Sequence, residues 1–175
     1  MKKVKGLGIL FLLIVGVTIG YHFVATSPST PKTSSTYDVS GPQYFQEEES
    51  LVLSRMIAKK QGLYFYGFPE CPWCQESVPL LTKVLEDQQT RAYTVNIHSD
   101  NYQKDDARVL EHFYQSHLGK KSVSVPFLVA INSRGQVKTH VGTVEGHNAK
   151  ESKLTPKQQE ELAEVLASLV SWTKS

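Results

Sequence analysis

Two cysteines three positions apart, set between an apolar run and a helical pattern, constrain this chain more than any other feature. The stretch reads Leu63-Tyr64-Phe65-Tyr66-Gly67-Phe68-Pro69-Glu70-Cys71-Pro72-Trp73-Cys74, and its cysteines are the only two in 175 residues. Its aromatic-rich first half has the character of a buried strand. Gly-Phe-Pro-Glu then turns the chain, and Pro72 suits the first position of a helix. Within one helical turn the two Cα atoms lie about 5–6 Å apart, inside the range a disulfide bridges. The start of a helix also carries partial positive charge, which stabilises a thiolate. The pair reads as a redox site.

Blander readings of the same pair fare worse. An inert bridge closing so short a loop restrains little chain entropy and is a weak staple. Zinc wants about four ligands, and no second cysteine pair exists. His98, His112, His117, His140 and His147 are irregularly spaced. A c-type haem site would put a histidine directly after the second cysteine, where Gln75 stands. Neither metal nor cofactor is expected. With a single cysteine pair, a multi-bridge secreted scaffold is excluded.

Charge narrows the partners. The net charge is +2, and Lys2, Lys3 and Lys5 supply three of the positive charges, so the remainder stands at −1. Nothing in that balance points to nucleic acid. After the basic head, residues 6–25 carry no formal charge with His22 neutral. As a helix that run would span about 30 Å, the thickness of a hydrocarbon core. The basic end stays cytoplasmic, so the rest of the chain is expected outside. Two readings compete: a retained anchor, giving a single-pass cell-membrane protein, or a signal peptide whose removal yields a secreted one. The run exceeds a usual signal core, and Phe23-Val24-Ala25 is a poor cleavage site. Both points favour the anchor.

Residues 26–42 are rich in Ser, Thr and Pro and read as an extended, solvated linker reaching up to about 50 Å. From 43 to 175 the pattern is that of one domain. A first helix is expected over 43–60, with Glu47, Glu48 and Glu49 near its start and Gly62 as its stop. Strand 63–67 follows, then a helix from Pro72 to about Gln88 that Pro79 should kink. A strand over 91–97, a helix over 104–118 stopped by Gly119, and strands over 123–131 and 136–141 come next. The two late strands, joined by Asn132-Ser-Arg-Gly135, form a hairpin. Residues 142–153 read as a connector. Thr155-Pro156-Lys157-Gln158 opens a last helix as a capping box. The expected class is α/β, a central mixed sheet with a C-terminal β-hairpin and helices on both faces.

On these residues the sequence resembles the thioredoxin family over roughly 43–172. The likeness lies in the strand before Cys71-Pro72-Trp73-Cys74, the helix that motif opens, and Pro79 eight residues after the first cysteine. It extends to Val125-Pro126 before the hairpin and Gly142 after it. Among subfamilies the chain is most similar to the bacteriocin transport accessory protein group and related membrane-tethered bacterial proteins. The resemblance implies a thioredoxin-like fold with a cis peptide at Pro126, lying against the cysteine pair and presenting backbone to an extended substrate. Two features depart from the family pattern. Glu70, not Trp, precedes Cys71, and Phe65 stands where many members carry a buried Asp. Glu70 and Glu76 are expected to be exposed.

The implied chemistry is thiol–disulfide exchange. Cys71, the more exposed, would attack, and Cys74 would resolve the mixed disulfide. Trp73 and Phe68 would form an apolar contact surface, with Val125 and Pro126 opposite. The substrates expected are cysteine-containing exported proteins, with a membrane or extracellular partner supplying or accepting electrons. A rival from another class is a non-catalytic accessory or chaperone-like binding module at an export machine. A third, peroxide defence, has no specific signature here.

Overall fold

The computed structural model describes residues 37–175. In chain order the elements are β1 (Tyr44–Phe45), α1 (Glu49–Ile57), β2 (Gly62–Gly67), α2 (Pro72–Asp87) and β3 (Ala92–Asn96). They continue with α3 (Lys104–Leu118), β4 (Phe127–Ile131), β5 (Val137–Val141) and α4 (Pro156–Thr173). The five strands form one mixed sheet in the order β1-β3-β2-β4-β5. β3 runs parallel to both β1 and β2, whereas β4 runs antiparallel to β2 and to β5. The fold is α/β, with four helices among the described residues.

β2 sits at the centre because both of its faces are apolar. Alternate side chains of a strand point to opposite faces, and the two sets enter two cores. Leu63 and Phe65, with Leu128 and Ala130 of β4, pack against Val78, Leu81 and Leu85 of α2 and Leu162 and Leu166 of α4. Tyr64 and Tyr66, with Phe127 and Val129, meet Val52 and Met56 of α1 and Leu110 and Tyr114 of α3. Buried Tyr hydroxyls need partners; Tyr64 donates to the Lys60 carbonyl and Tyr44 bonds Thr82 at 2.8 Å, whereas the Tyr114 hydroxyl is buried without one. With helices on both faces, the strand ends near Gly67 are left open for a site.

Several expectations need correction. The segment expected as one helix over 43–60 begins instead with β1. Tyr44 is buried there, and its backbone extends the β3 edge, so ladder bonds and burial outweigh helical periodicity. α1 ends at Ile57, and Gly62, expected as its stop, opens β2. The strand expected from 123 begins at Phe127, because Pro126 has no N–H to give a ladder. The stretch given to the linker ends inside the domain: Tyr37 is buried, with its ring centre 6.2 Å from that of Phe65, and Val39 packs alongside. No helix among the described residues is long and apolar enough to cross a membrane. The apolar run 6–25 and the linker as far as 36 lie outside the described residues.

The last helix starts as its sequence dictates. Gln158 N–H donates to Thr155 Oγ1 at 3.3 Å, and Thr155 N–H donates to Gln158 Oε1 at 3.0 Å. Removing the cap with Thr155→Ala should destabilise the protein by about 1 kcal/mol. The readout is a lower urea midpoint at unchanged slope.

Candidate active site

β2 delivers the cysteine pair to the sheet's open end. The chain leaves Gly67, turns with Cys71 N–H donating to the Phe68 carbonyl at 3.2 Å, and enters α2 at Pro72. Gln75 secures the turn, its Nε2 donating to the Pro69 carbonyl at 2.7 Å. Cys71 is itself the N-cap residue of α2, so its sulfur stands where the first helical N–H groups converge. Cys74 N–H donates to Cys71 Sγ at 3.2 Å. The Cys74 thiol points at the same sulfur from 2.6 Å. Both cysteines are free.

This geometry splits the two thiols. Donation from the Cys74 thiol, aided by the N–H groups of Cys74 and Trp73, outweighs burial and holds Cys71 down to about 7. Cys74 moves the other way. Its bond to Cys71 and its burial push it well above the ordinary thiol range. At neutral pH, therefore, about half of Cys71 is thiolate while Cys74 keeps its proton.

The access to the pair differs from expectation. Cys71 is only 3% exposed and Cys74 is fully buried. The distinction between them is direction. Cys71 lies on the wall of an open groove of about 540 Å3, together with Phe68, Trp73, Val125, Gly142 and Lys150. Cys74 turns inward beneath Gly67, where an added Cβ would come within 3.0 Å of its sulfur. Across the groove, the Val125 carbonyl oxygen lies 3.8 Å from Cys71 Sγ. The Val125–Pro126 peptide is cis. Pro126 is buried and stands behind the groove wall. Its carbonyl accepts the Gly142 N–H at 2.8 Å, which ties the end of β5 to this turn. Four of the six expected site residues thus line the groove, and Cys74 and Pro126 support it from behind.

The aromatic contacts have definite neighbours. Phe68 stacks on His98 with ring centres 3.7 Å apart, and Trp73 is partly buried against the α2–α4 core. Sequence reasoning gave His98 no role, because the stacking joins residues thirty positions apart. Phe65, on β2 six residues before Cys71, is fully buried. The titratable side chain beside the pair is instead Tyr37. Burial first, and then the Cys74 thiol, hold its proton well above the usual phenol range.

Glu70 is exposed as expected, but Glu76 is not. Its side chain is 10% exposed, pairs with Lys153 at 2.6 Å and accepts the Leu154 N–H at 3.2 Å. It fastens the 142–154 segment to α2. Two histidines brace related parts of that segment. His147 bonds Thr143 Oγ1 and the Ser152 carbonyl oxygen, and His140 bonds the Thr143 carbonyl oxygen.

Compared with known proteins, the chain matches no family model, and no curated protein matches it.

Proposed function

We propose that this chain is a thioredoxin-like thiol–disulfide oxidoreductase. It would act outside the cell on cysteine-containing exported proteins, tethered by residues 6–25 or secreted where that segment is removed. The observation that carries the reading is the Cys71 sulfur, capping a helix and facing a groove with the Cys74 thiol donating to it from 2.6 Å. A thiolate is the attacking species in exchange, and this arrangement makes one thiolate while reserving one proton.

In the reductive direction, the Cys71 thiolate attacks one sulfur of a substrate disulfide. A Cys71–substrate bond forms, the substrate S–S bond breaks, and the first substrate sulfur leaves as a thiolate. Cys74 then gives up its proton and attacks Cys71 Sγ, forming the Cys71–Cys74 disulfide. The second substrate sulfur leaves as a thiolate, so two electrons have passed from the dithiol to the substrate. With Phe65 in place of a buried carboxylate, the proton of Cys74 goes to the first-released substrate thiolate, which departs as a thiol. The oxidative direction is the same sequence reversed, and a membrane or extracellular redox partner restores the pair.

Trapping tests the reading. A full-length Cys74→Ser variant should accumulate mixed disulfides on Cys71, visible as reductant-sensitive adducts. A specific observation favours the rival binding module: Cys71 is only 3% exposed. Absence of Cys71-linked adducts, with partners still held non-covalently, would decide for that rival.

A further inference from the structure

We infer that the groove beside Cys71 selects peptide segments with an acidic side chain close to the reacting cysteine, and that Lys150 reads that charge. The inference rests on the exchange reading and adds the substrate class to it.

The groove wall is apolar at Phe68, Trp73 and Val125, and Lys150 is the one cationic residue lining it among the described residues, sharing the wall with the partly ionised Cys71 sulfur. The Lys150 ammonium lies 5.9 Å from the centre of the Trp73 ring. That separation is near the outer limit of a cation–π contact, so the ring orients the charge without using it up. Lys150 takes part in none of the ion pairs formed among the described residues. Nearby Lys153 is different, since Glu76 neutralises it at 2.6 Å. Glu70, Glu145 and Glu151 are exposed in the same region, and none of them lines the groove. An occupant of the groove whose acidic side chain reaches Lys150 therefore meets a cation that is in none of these ion pairs, while its reacting sulfur meets Cys71.

The backbone that carries Lys150 is held in place. Asn148 Oδ1 accepts the Lys150 N–H at 3.2 Å, and the Asn148 carbonyl accepts N–H groups of Glu151 and Ser152. The His147 ring joins Thr143 Oγ1 at 2.7 Å to the Ser152 carbonyl oxygen at 3.1 Å. Glu76 holds the end of the segment at Leu154. The charge is presented from a built loop. The ionisation of Cys71 is governed chiefly by the Cys74 thiol, by burial and by the helix N–H groups.

The test uses full-length protein and short labelled peptides in which serine replaces the cysteine, flanked by Glu, Gln or Lys. Affinities are read by fluorescence anisotropy, so the result does not depend on exchange. At about 0.02 M salt the Glu peptide should bind about two- to fivefold more tightly than the Gln peptide, and the Lys peptide more weakly than either. At about 0.5 M salt the preference should largely disappear. Lys150→Glu should invert the order and Lys150→Met should level it, each read as the ratio of affinities among the three peptides. Equal affinities in the wild type, or an order unaltered by Lys150→Glu, would overturn the inference. Exchange on the cysteine-containing peptides is measured in parallel. Acidic preference without exchange would overturn the catalytic reading and leave the docking preference standing.

Discussion

A Cys71→Ser variant should lose disulfide exchange by more than about a thousandfold, because serine supplies no thiolate to attack and no sulfur to bond. The measurement is reduction of a model disulfide by full-length protein, with normal rates in Cys71→Ser excluding the assigned role. The pH dependence makes the same claim more demanding. In the wild type, the alkylation rate of Cys71 should titrate with a midpoint at about 7. Its largest cause is the Cys74 thiol, so Cys74→Ala should move the midpoint toward the ordinary thiol value of about 8.5. At pH 7 the thiolate fraction would fall from about half toward the roughly 3% of an ordinary thiol, slowing alkylation by at most about 15-fold because the helix N–H groups remain. An unmoved midpoint would remove Cys74 as the cause.

The same ionisation is linked to folding. The pKa of Cys71 is lower in the folded reduced protein than in the unfolded chain. Its stabilising contribution is therefore fully present above about pH 8.5 and is lost as pH falls through about 7. Between those limits the reduced protein should gain stability as pH rises, until ionisation of Cys74 in the unfolded chain, whose thiol stays protonated when folded, opposes it. A thiolate stabilised in the reduced form also makes the Cys71–Cys74 disulfide the stronger oxidant. Equilibration with glutathione would measure by how much.

Most of the element order was legible because it depends on local pattern. β2, α2, α3 and α4 each carry an apolar period or a start signal within their own residues, and α4 begins at Pro156 as its capping box requires. What was missed depends on residues distant in the chain. β1 is two residues long and shows no period; it exists because the β3 edge pairs with it. Tyr37 follows a Ser-, Thr- and Pro-rich stretch, so nothing local sets it apart from a tether, yet it closes the core beside Phe65. Helical spacing places Glu76 off the apolar face of α2, and its burial comes from Lys153 and Leu154. The site divides in the same way. Cys71 and Cys74 are marked by their spacing. The meeting with Val125, the stacking of His98 on Phe68 and the place of Lys150 exist only once the sheet has formed.

Gly67 shows how closely stability and chemistry are joined at this strand end, and Gly67→Ala should impair both. A Cβ there would lie 2.8 Å from Cε1 of Phe65 and 3.0 Å from Cys74 Sγ. Neither neighbour has solvent to move into, since both are fully buried and Tyr37 packs across the Phe65 ring. Overpacking of this kind costs about 1–3 kcal/mol, expected as a lower urea midpoint. Displacing Cys74 Sγ also weakens its donation to Cys71, so the alkylation midpoint should rise above about 7. Gly135→Ala separates crowding from general destabilisation. Gly135 has φ of 73° in the turn between β4 and β5, and an added Cβ there would meet nothing closer than 3.7 Å. That variant should lose about 1–2 kcal/mol through backbone strain while Cys71 still titrates at about 7. If the two variants shift the midpoint equally, or Gly67→Ala leaves it in place, then close packing under Cys74 does not tune the thiolate.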